Sequence, residues 1–268
     1  MWYRPGVGVA RESVGNEPVA PRLRRRWGRG LAGLSRFVSG RGGLPDAFEG
    51  MLALAGPMVE REFDAFAASD TGRRLLAEEP RRDLNALLAD REKLAAMPRG
   101  SFADAYLDYM GAEGMGSASY FLDAAGLDEK ARQLGWSDDQ AWFVRRMANS
   151  HDLFHVITGY DRSILGEVGV DAFTAGHVPM LPLRLFLAYL LVLKPSAPVE
   201  WGSFVTRCYR QGQATPPLSC LDWEKAFPLP LDEARRMAGV SLLEEVHPRG
   251  FPARGKKLSQ LEDRLQGK

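Results

Sequence analysis

The sequence predicts an all-α fold, a single helical-bundle domain that follows a flexible basic N-terminal arm. Three observations support this fold class: apolar residues recur every three or four positions from Leu44 onward, strand-like alternation is scarce, and no segment repeats. With 268 residues, 45% of them hydrophobic, the chain can bury one large core. We therefore expect three regions: the arm 1–43, the bundle 44–246 and a polar, basic tail 247–268.

The arm, residues 1–43, is rich in arginine, proline and glycine, and its only acids are Glu12 and Glu17. Such a composition buries too little apolar surface to order, so we expect a solvated tail with a short helix at its end. An alternative is attraction of the arm to anionic lipid head groups. The prolines in the arm argue against the amphipathic helix of an organellar transit peptide.

Prolines, glycines and capping residues mark the ends of the first helices of the bundle. We expect one helix over 44–69, one that ends before Pro80, and one over 81–97. Ser101 is a candidate N-cap for the next helix, which stops at a pair of glycines.

The second half of the bundle contains the longest expected helix. It begins at its N-cap Ser137 and ends at Gly159. After a short turn, we expect Asp161 to cap the following helix. Three more helices are expected over the segments 181–194, 203–213 and 231–240.

Bulk properties of the chain exclude several classes of function. A net charge of +1 gives no global drive toward nucleic acid. Cys208 and Cys220 match no zinc-ribbon or redox spacing, and we expect no structural disulfide. The longest apolar stretch, Met180–Leu193, is too short to cross a bilayer, so it predicts a buried helix or one at a membrane surface. No apolar core follows the N-terminal charges, which argues against a signal peptide.

Two of the four histidines, His151 and His155, lie four residues apart on one predicted helix and project from the same face. The same face carries the apolar residues Val144, Met147 and Ala148. A lone histidine on such an apolar face is more often a core residue whose ring nitrogens have hydrogen-bond partners. Two imidazoles one turn apart, with carboxylates nearby, instead favour a site for a divalent metal.

Two carboxylates can complete this ligand set. A short turn after Gly159 lets the next helix fold back, which brings Glu167 to the level of the histidines. Gly166 and Gly169 flank Glu167 and permit close helix approach. Asp152 could bind the metal directly or through water, or orient one of the ligands.

Four other side chains have an expected role near this site. Arg146 precedes the first histidine by five positions and could meet a substrate carboxylate, and Tyr160 closes the helix and could donate a hydrogen bond. These two residues are our candidates for catalytic roles. Tyr106 and Trp223 are expected in the core or in an interface.

Other metal enzymes match the pattern less well. Zinc peptidases carry a glutamate as base inside their His-Glu-x-x-His motif, whereas this chain has the shorter Asp152 there. Phosphohydrolases of the HD type need an additional upstream histidine and a downstream aspartate. A zinc-dependent hydrolase is therefore a remote alternative.

The spacing His-Asp-x-x-His, eleven residues, then Glu resembles the signature of the Coq-four family of ubiquinone (coenzyme Q) biosynthesis proteins. His151, Asp152, His155 and Glu167 occupy every defining position. The blocks GRRLLAEEP, LAAMPRGSFADAYLDYM and YRQGQATPPLSCLDWEKAFPLPLDEARRMAGV also resemble segments of the family. The arm and the tail have no counterpart in it.

The resemblance implies an all-helical protein that associates with membranes and binds long isoprenoid lipids. It also implies a metal-dependent oxidative decarboxylation, in which a hydroxyl replaces the carboxylate of a polyprenylated hydroxybenzoate ring. The alternative is a non-catalytic, lipid-binding scaffold that organises the other ubiquinone-biosynthesis enzymes. The divalent metal would be zinc, the usual assignment for this family, although iron or manganese also fit the donor set.

The resemblance further suggests where the protein works and with what. Expected partners are a polyprenyl benzoate or another isoprenoid lipid, the other ubiquinone-biosynthesis enzymes and a membrane surface, with no nucleic acid; a homodimer is compatible with the sequence. The arginine-rich composition is typical of a GC-rich bacterial gene. We therefore expect a cytoplasmic protein peripheral to the inner membrane, with the matrix side of the mitochondrial inner membrane as the alternative.

Overall fold

The computed structural model describes residues 24–55, 57–111, 126–192 and 199–243. Within these ranges the regular structure consists of helices, and the only β-type pairing is an isolated bridge between Ser101 and Pro230. The predicted all-α fold class is therefore confirmed for the described part of the chain.

The described helices follow one another along the chain. In chain order they are α1 Trp27–Val38, α2 Leu44–Ala55, α3 Met58–Ala68, α4 Asp70–Leu76, α5 Leu84–Ala89, α6 Arg91–Ala95, α7 Phe102–Gly111, α8 Leu127–Leu134, α9 Asp138–Asn149, α10 His151–Thr158, α11 Ile164–His177, α12 Leu181–Val192, α13 Val199–Ala214, α14 Trp223–Ala226 and α15 Leu231–Ala238, with a 3-10 helix at Leu218–Cys220.

Three segments that the periodicity predicts as single helices are each divided in two. The first break, between α2 and α3, lies at Pro57, which cannot donate a backbone hydrogen bond. At the second, Asp90 caps α6 by accepting a hydrogen bond from the amide of Lys93. At the third, between α9 and α10, the Ser150 hydroxyl donates to the carbonyl of Met147. Polar side chains that compete for the backbone thus end helices that apolar spacing alone would continue.

Of the residues Ser101, Ser137, Gly159 and Asp161, predicted to cap or end a helix, the first three do so and Asp161 does not. Ser137 caps α9 in a capping box, Ser101 accepts from the amide of Asp104, and Gly159 adopts a φ of 77° at the end of α10. Asp161, however, does not cap α11. Ser163 does, by accepting from the amide of Gly166, while Asp161 accepts from Ser163. The turn is longer than expected, so the helix begins later.

The main core lies where α7, α10, α11, α13, α14 and α15 meet. Aromatic residues fill it: Phe102 stacks between Trp223 and Phe227, and Tyr106 meets Phe227 edge to face. Tyr106 and Trp223 are each 1% exposed, which agrees with their predicted core position. Each fully buried aromatic ring of this size contributes roughly 1.5–3 kcal/mol. This core fixes the helix that carries the histidines.

The pair α11 and α13 approach each other closely through two glycines. A Cβ atom at Gly176 would overlap the carbonyl oxygen of Tyr209, and one at Gly212 would overlap that of Phe173. The two backbones therefore pack against each other without side chains between them at these points. This contact fixes the position of α11, the helix that carries Glu167.

Helix α1 lies inside the segment expected to form the basic arm, where we expected a short helix. It packs on α2 with two ion pairs, Arg29 to Glu49 at 2.7 Å and Arg36 to Asp46 at 2.6 Å. The rest of the arm, residues 1–23, and the tail from 244 onward lie outside the described residues.

The apolar stretch that begins at Met180 forms α12. Leu183 and Leu187 are buried, whereas Leu185 is 38% exposed, so one side of the helix belongs to the core. Among the described helices, none has both the length and the hydropathy that a bilayer crossing needs. Cys208 and Cys220 are free thiols.

Candidate metal centre

Three side chains from two helices come together beside the turn that joins α10 to α11. His151 and His155 lie at the start and middle of α10, and Glu167 lies in the first turn of α11. One possible ligand atom from each residue lies within 4.8 Å of the others. Nε2 of His155 is 3.4 Å from Oε2 of Glu167, and the two imidazole rings are 5.0 Å apart. The structure thus brings together three of the four predicted ligands.

The orientation of His155 decides what this cluster can do. The residue is fully buried, and its Nδ1 lies 3.0 Å from the carbonyl oxygen of Tyr160. Because a carbonyl only accepts, Nδ1 carries the proton and Nε2 presents a lone pair. Nε2 is buried and has no hydrogen-bond partner among the described residues. An unsatisfied buried acceptor costs about 1–3 kcal/mol, and a divalent cation would satisfy it. The residues present therefore fit a metal.

The turn between the helices brings Glu167 to the histidines. Gly159 ends α10 in the left-handed conformation, and Ser163 then caps α11. A Cβ atom at Gly166 would overlap the carbonyl oxygen of Asp161, so glycine is required for this tight approach. Glu167 lies close to the positive end of the α11 dipole, where a carboxylate is favoured. The predicted fold-back of Glu167 is thus present, although through a different cap.

Asp152, for which the sequence allowed either metal binding or the orientation of a ligand, lies beside His151. Its Oδ1 lies 3.5 Å from Nδ1 of His151, and it is not part of the three-residue cluster. Burial lowers the pKa of His151, but the neighbouring carboxylates, first Asp152 and then Glu167 and Asp171, outweigh burial and raise it. This placement suits a residue that orients His151 better than a direct ligand.

The candidate catalytic residues Arg146 and Tyr160 are both held by other side chains. Arg146 forms a two-pronged ion pair with Glu224, with both contacts at 2.6 Å, and its side chain is only 4% exposed. The Tyr160 hydroxyl donates to Oε1 of Gln211 at 2.5 Å, and Tyr160 is 1% exposed. Tyr160 meets the site through its carbonyl, which accepts from His155. These contacts favour positioning roles for both residues.

Asp171 is a site residue that the sequence analysis missed. It follows Glu167 by four positions on α11 and therefore lies on the same face one turn later. Burial raises the pKa of Asp171 to about 6, and the charge of Glu167 adds to this effect while His151 opposes it. The four-residue spacing from Glu167 was the signal that could have identified it.

Tyr109 and Arg162 were also missed. The Tyr109 ring, on α7, stacks on His155 with 5.3 Å between the ring centroids. Arg162, in the turn before α11, places its guanidinium carbon 4.3 Å from the centroid of the same ring. No local spacing relates Tyr109 to the histidines, because α7 reaches them only through the tertiary fold.

The centre is open on one side. His155 is inaccessible, whereas the His151 and Glu167 side chains are 44% and 49% exposed. A buried nitrogen, a half-exposed nitrogen and a charged carboxylate thus surround a point that a small molecule can reach.

Comparison with known proteins identifies the family. A family model described as "Coenzyme Q (ubiquinone) biosynthesis protein Coq4" matches residues 52–244, well over half of the chain. The chain belongs to the Coq4 family. The resemblance seen in the sequence is therefore confirmed, and so is a place among ubiquinone-biosynthesis proteins.

Curated relatives in the Coq4 family are distant in sequence. The chain is 25% identical over 197 residues to the mitochondrial ubiquinone biosynthesis protein COQ4 homolog of Aedes aegypti, a match that covers 70% of this chain and 65% of the relative. It is 27% identical over 185 residues to mitochondrial COQ4 of Paracoccidioides brasiliensis, with 68% and 60% covered. The matched region thus spans somewhat less than two thirds of these relatives.

A crystal structure of a protein from Nostoc punctiforme is similar to this chain in fold. The two structures superpose with a TM-score of 0.54 at 20% sequence identity, over 81% of this chain and 99% of the other. At this identity the match bears on the fold alone, which is the all-α arrangement described above.

Proposed function

We propose that this Coq4-family chain is a metal-dependent enzyme of ubiquinone biosynthesis. Its substrate would be a polyprenylated hydroxybenzoate, whose ring carboxylate is replaced by a hydroxyl. The net change is a two-electron oxidation that breaks the bond from the ring to the carboxylate and releases carbon dioxide. We propose that dioxygen accepts the two electrons and leaves as hydrogen peroxide, while water supplies the hydroxyl that bonds to the ring. The observation that carries this proposal is the unsatisfied Nε2 of His155, which faces Glu167 and lies beside His151.

The residues that would hold the metal are His151, His155 and Glu167. A bound divalent metal would supply a positive charge that can bind ring oxygens and, if it is redox-active, activate dioxygen. Zinc is the usual assignment for the family, and iron or manganese also suit two imidazoles and a carboxylate. Asp152 would orient His151, and the Tyr160 carbonyl would keep Nδ1 of His155 protonated.

The number of ligands favours catalysis over a structural metal. Structural zinc sites are closed by four protein ligands, whereas catalytic sites use three and leave a position open. Three protein ligands meet here among the described residues, and two of them are half exposed. A scaffold whose metal only stabilises the fold would not require this accessibility.

The ligand would carry a prenyl tail, as the family resemblance implies. Val144, Met147 and Ala148, the apolar residues that precede His151, pack into a second core cluster around Phe143. They do not form a free surface for the tail, so the isoprenoid ligand is proposed on the family resemblance.

We further propose that the protein attaches to a membrane surface through α1. Trp27 and Leu31 lie one turn apart and are 50% and 52% exposed. Arg24, Arg25 and Arg26 precede them and are also exposed. An apolar strip beside arginines suits the interface of a bilayer that contains anionic lipids. The membrane would be the bacterial inner membrane or, as for the relatives named mitochondrial, the inner membrane of that organelle. At that membrane the protein would bind the other ubiquinone-biosynthesis enzymes.

The decisive experiment combines metal content with function. Wild type, His155→Ala and Glu167→Gln are purified from cells, and their metal and co-purified lipid are measured by mass spectrometry. The same genes are tested for rescue of ubiquinone synthesis in a strain that lacks its own Coq4-family gene. We expect both variants to lose metal and rescue while they remain folded. Glu233→Gln, an exposed control on α15, should behave as wild type.

Two results would contradict the proposal. Full metal occupancy in His155→Ala would remove His155 from the ligand set. Full rescue by a Glu167→Gln protein that has lost its metal would show that the metal is not needed for ubiquinone synthesis.

A further inference from the structure

Arg162 is a half-buried cation without a counter-ion among the described residues. Its Nη2 donates to the sulfur of Met110 at 3.4 Å, and its guanidinium lies over the ring of Tyr109 and also hydrogen-bonds with that side chain. Nε and Nη1 are both buried and have no hydrogen-bond partner in the described structure. The two buried arginines, Arg146 and Arg235, are each paired with an acid, so among these three arginines only Arg162 lacks a counter-ion in the described structure.

An unmatched guanidinium is unfavourable in a protein interior. Removing its N–H groups from water carries a penalty that only an acceptor can offset, and a charged group raises that penalty. The face of Tyr109 compensates part of the charge through a cation–π contact but accepts no hydrogen bond from Nε or Nη1. The two free donors therefore call for an anionic acceptor that the described residues do not supply.

This unmatched cation lies next to the metal centre. Tyr109 is in contact with both Arg162 and His155, so a single ring separates the guanidinium from the buried ligand. Arg162 also stands two positions before α11, whose N-terminus adds positive potential. A molecule that enters beside the exposed edges of His151 and Glu167 would bring its polar end near this cation.

We propose that Arg162 binds the carboxylate of the aromatic acid that enters the metal centre. This inference rests on the proposed function and adds to it the residue that recognises the ring carboxylate. The planar guanidinium matches a carboxylate in shape and charge. A doubly charged phosphate fits less well, because Asp152, Glu167 and Asp171 already place negative charge around the site.

A simpler role for Arg162 is to balance these acidic residues without touching the ligand. The two roles differ in which ligands of the site they would affect. Charge balance would affect every ligand of the site alike, whereas a carboxylate receptor distinguishes ring acids from rings that lack the acid group.

The test compares two probes by calorimetric titration of the protein as purified. The probes are 4-hydroxybenzoate and phenol, which share the hydroxylated ring and differ in the carboxylate. We expect wild type to prefer 4-hydroxybenzoate by about tenfold or more, as charge-assisted hydrogen bonds do. Arg162→Gln should lose this preference without weakening phenol binding, and Arg162→Lys should keep part of it. Arg236→Gln, an exposed arginine on α15, should match wild type.

A second variant separates Arg162 from the metal. If the metal supplied the preference for the carboxylate, Glu167→Gln would abolish it and Arg162→Gln would retain it. We expect instead that Arg162→Gln abolishes the preference for the carboxylate and that Glu167→Gln retains it. Circular dichroism checks that each variant is folded, and the lysine variant keeps the charge if the glutamine variant does not fold.

Three outcomes would overturn the assignment: an unchanged preference in Arg162→Gln, equal binding of both probes by wild type, or tighter binding of inorganic phosphate than of 4-hydroxybenzoate. A different result would contradict the proposed enzymatic function, namely rescue of ubiquinone synthesis by a protein that has lost its metal. A protein could therefore lose one assignment and keep the other.

Discussion

Nδ1 of His155 donates a hydrogen bond to the carbonyl oxygen of Tyr160, 3.0 Å away. The residue that follows the end of α10 thereby sets the tautomer of the buried imidazole on that helix. This bond makes Nε2 an acceptor that faces Glu167, and it does so through backbone, independently of the tyrosine side chain. The orientation of the candidate ligand is therefore built into the turn between α10 and α11.

Tyr160→Phe should therefore leave the metal content unchanged. The substitution removes only the hydroxyl that donates to Gln211 and should lower the free energy of unfolding by about 1 kcal/mol. Metal analysis and urea unfolding of the purified variant measure the two effects. Loss of metal from a folded Tyr160→Phe protein would instead place the hydroxyl in the site.

Gly166→Ala should disturb the turn and the metal centre together. The added methyl would overlap the Asp161 carbonyl, so we expect a loss of more than about 1 kcal/mol in unfolding free energy and weaker metal binding. Gly202→Ala is the matched control, because a Cβ there meets nothing within 4 Å and alanine favours helix by roughly 0.5–1 kcal/mol. Equal stability of the two variants would show that the turn tolerates a side chain.

The pair of Arg146 and Glu224 should act as a structural unit. Removing one partner, as in Glu224→Gln, leaves a buried guanidinium charge and should destabilise the fold by about 3–5 kcal/mol. The double variant Arg146→Met with Glu224→Leu should recover most of that loss, since no charge stays unpaired. Denaturant unfolding of the four proteins gives the coupling energy. A coupling near zero would contradict the pairing and reopen Arg146 as a ligand-binding residue.

Glu62 on α3 should make stability depend on pH. Burial raises its pKa above the ordinary value of 4.5, so the folded protein holds this proton up to a higher pH than the unfolded chain does. Between the pKa of Glu62 in the unfolded chain and its higher pKa in the folded protein, the native state binds more protons. The contribution of Glu62 to stability is therefore lost as pH rises. Glu62→Gln should therefore be more stable than wild type at about pH 8, on the order of 1 kcal/mol, and equal to it near pH 4.

The control for this pH effect is Asp64→Asn, an exposed acid on the same helix. It should follow wild type across the pH range in thermal unfolding. A Glu62→Gln protein whose stability relative to wild type does not change with pH would show that the carboxyl is solvated.

Substituting Trp27 and Leu31 by alanine should weaken attachment to membranes. Both side chains are exposed on α1, so the double variant should fold as wild type and lose affinity for vesicles of mixed neutral and anionic lipid by about tenfold or more. Vesicle sedimentation at two salt concentrations measures this, with Met237→Ala as a control at another exposed apolar residue. Unchanged sedimentation of the double variant would exclude α1 as the docking helix.

The features that the sequence predicted are local in the chain. The four-residue spacing of His151 and His155 and the glycine that ends their helix sufficed to place the candidate ligands on one face and to bring Glu167 back to them. The helix boundaries at Ser150 and Ser163 were not predicted, because a hydroxyl that bonds to nearby backbone can end or begin a helix against the apolar periodicity.

The contacts that the sequence could not predict join distant parts of the chain. The partner of Arg146 lies 78 residues away at Glu224, and Tyr109 reaches His155 from another helix. Such pairs depend on how the helices pack, which spacing does not determine. The buried Nε and Nη1 of Arg162, which have no hydrogen-bond partner among the described residues, are recognisable only when the neighbours of the guanidinium are known.

The reciprocal glycine contacts between α11 and α13 also limit how the metal centre can move. Gly176 lies under the Tyr209 carbonyl and Gly212 under that of Phe173, so no rotamer change can relieve or tighten either contact. A shift of α11 along or away from α13 would break both contacts at once. The two helices therefore behave as one rigid body, and Glu167 is the stationary side of the centre. Adjustment to an incoming ligand is left to α10 and to the half-exposed side chain of His151.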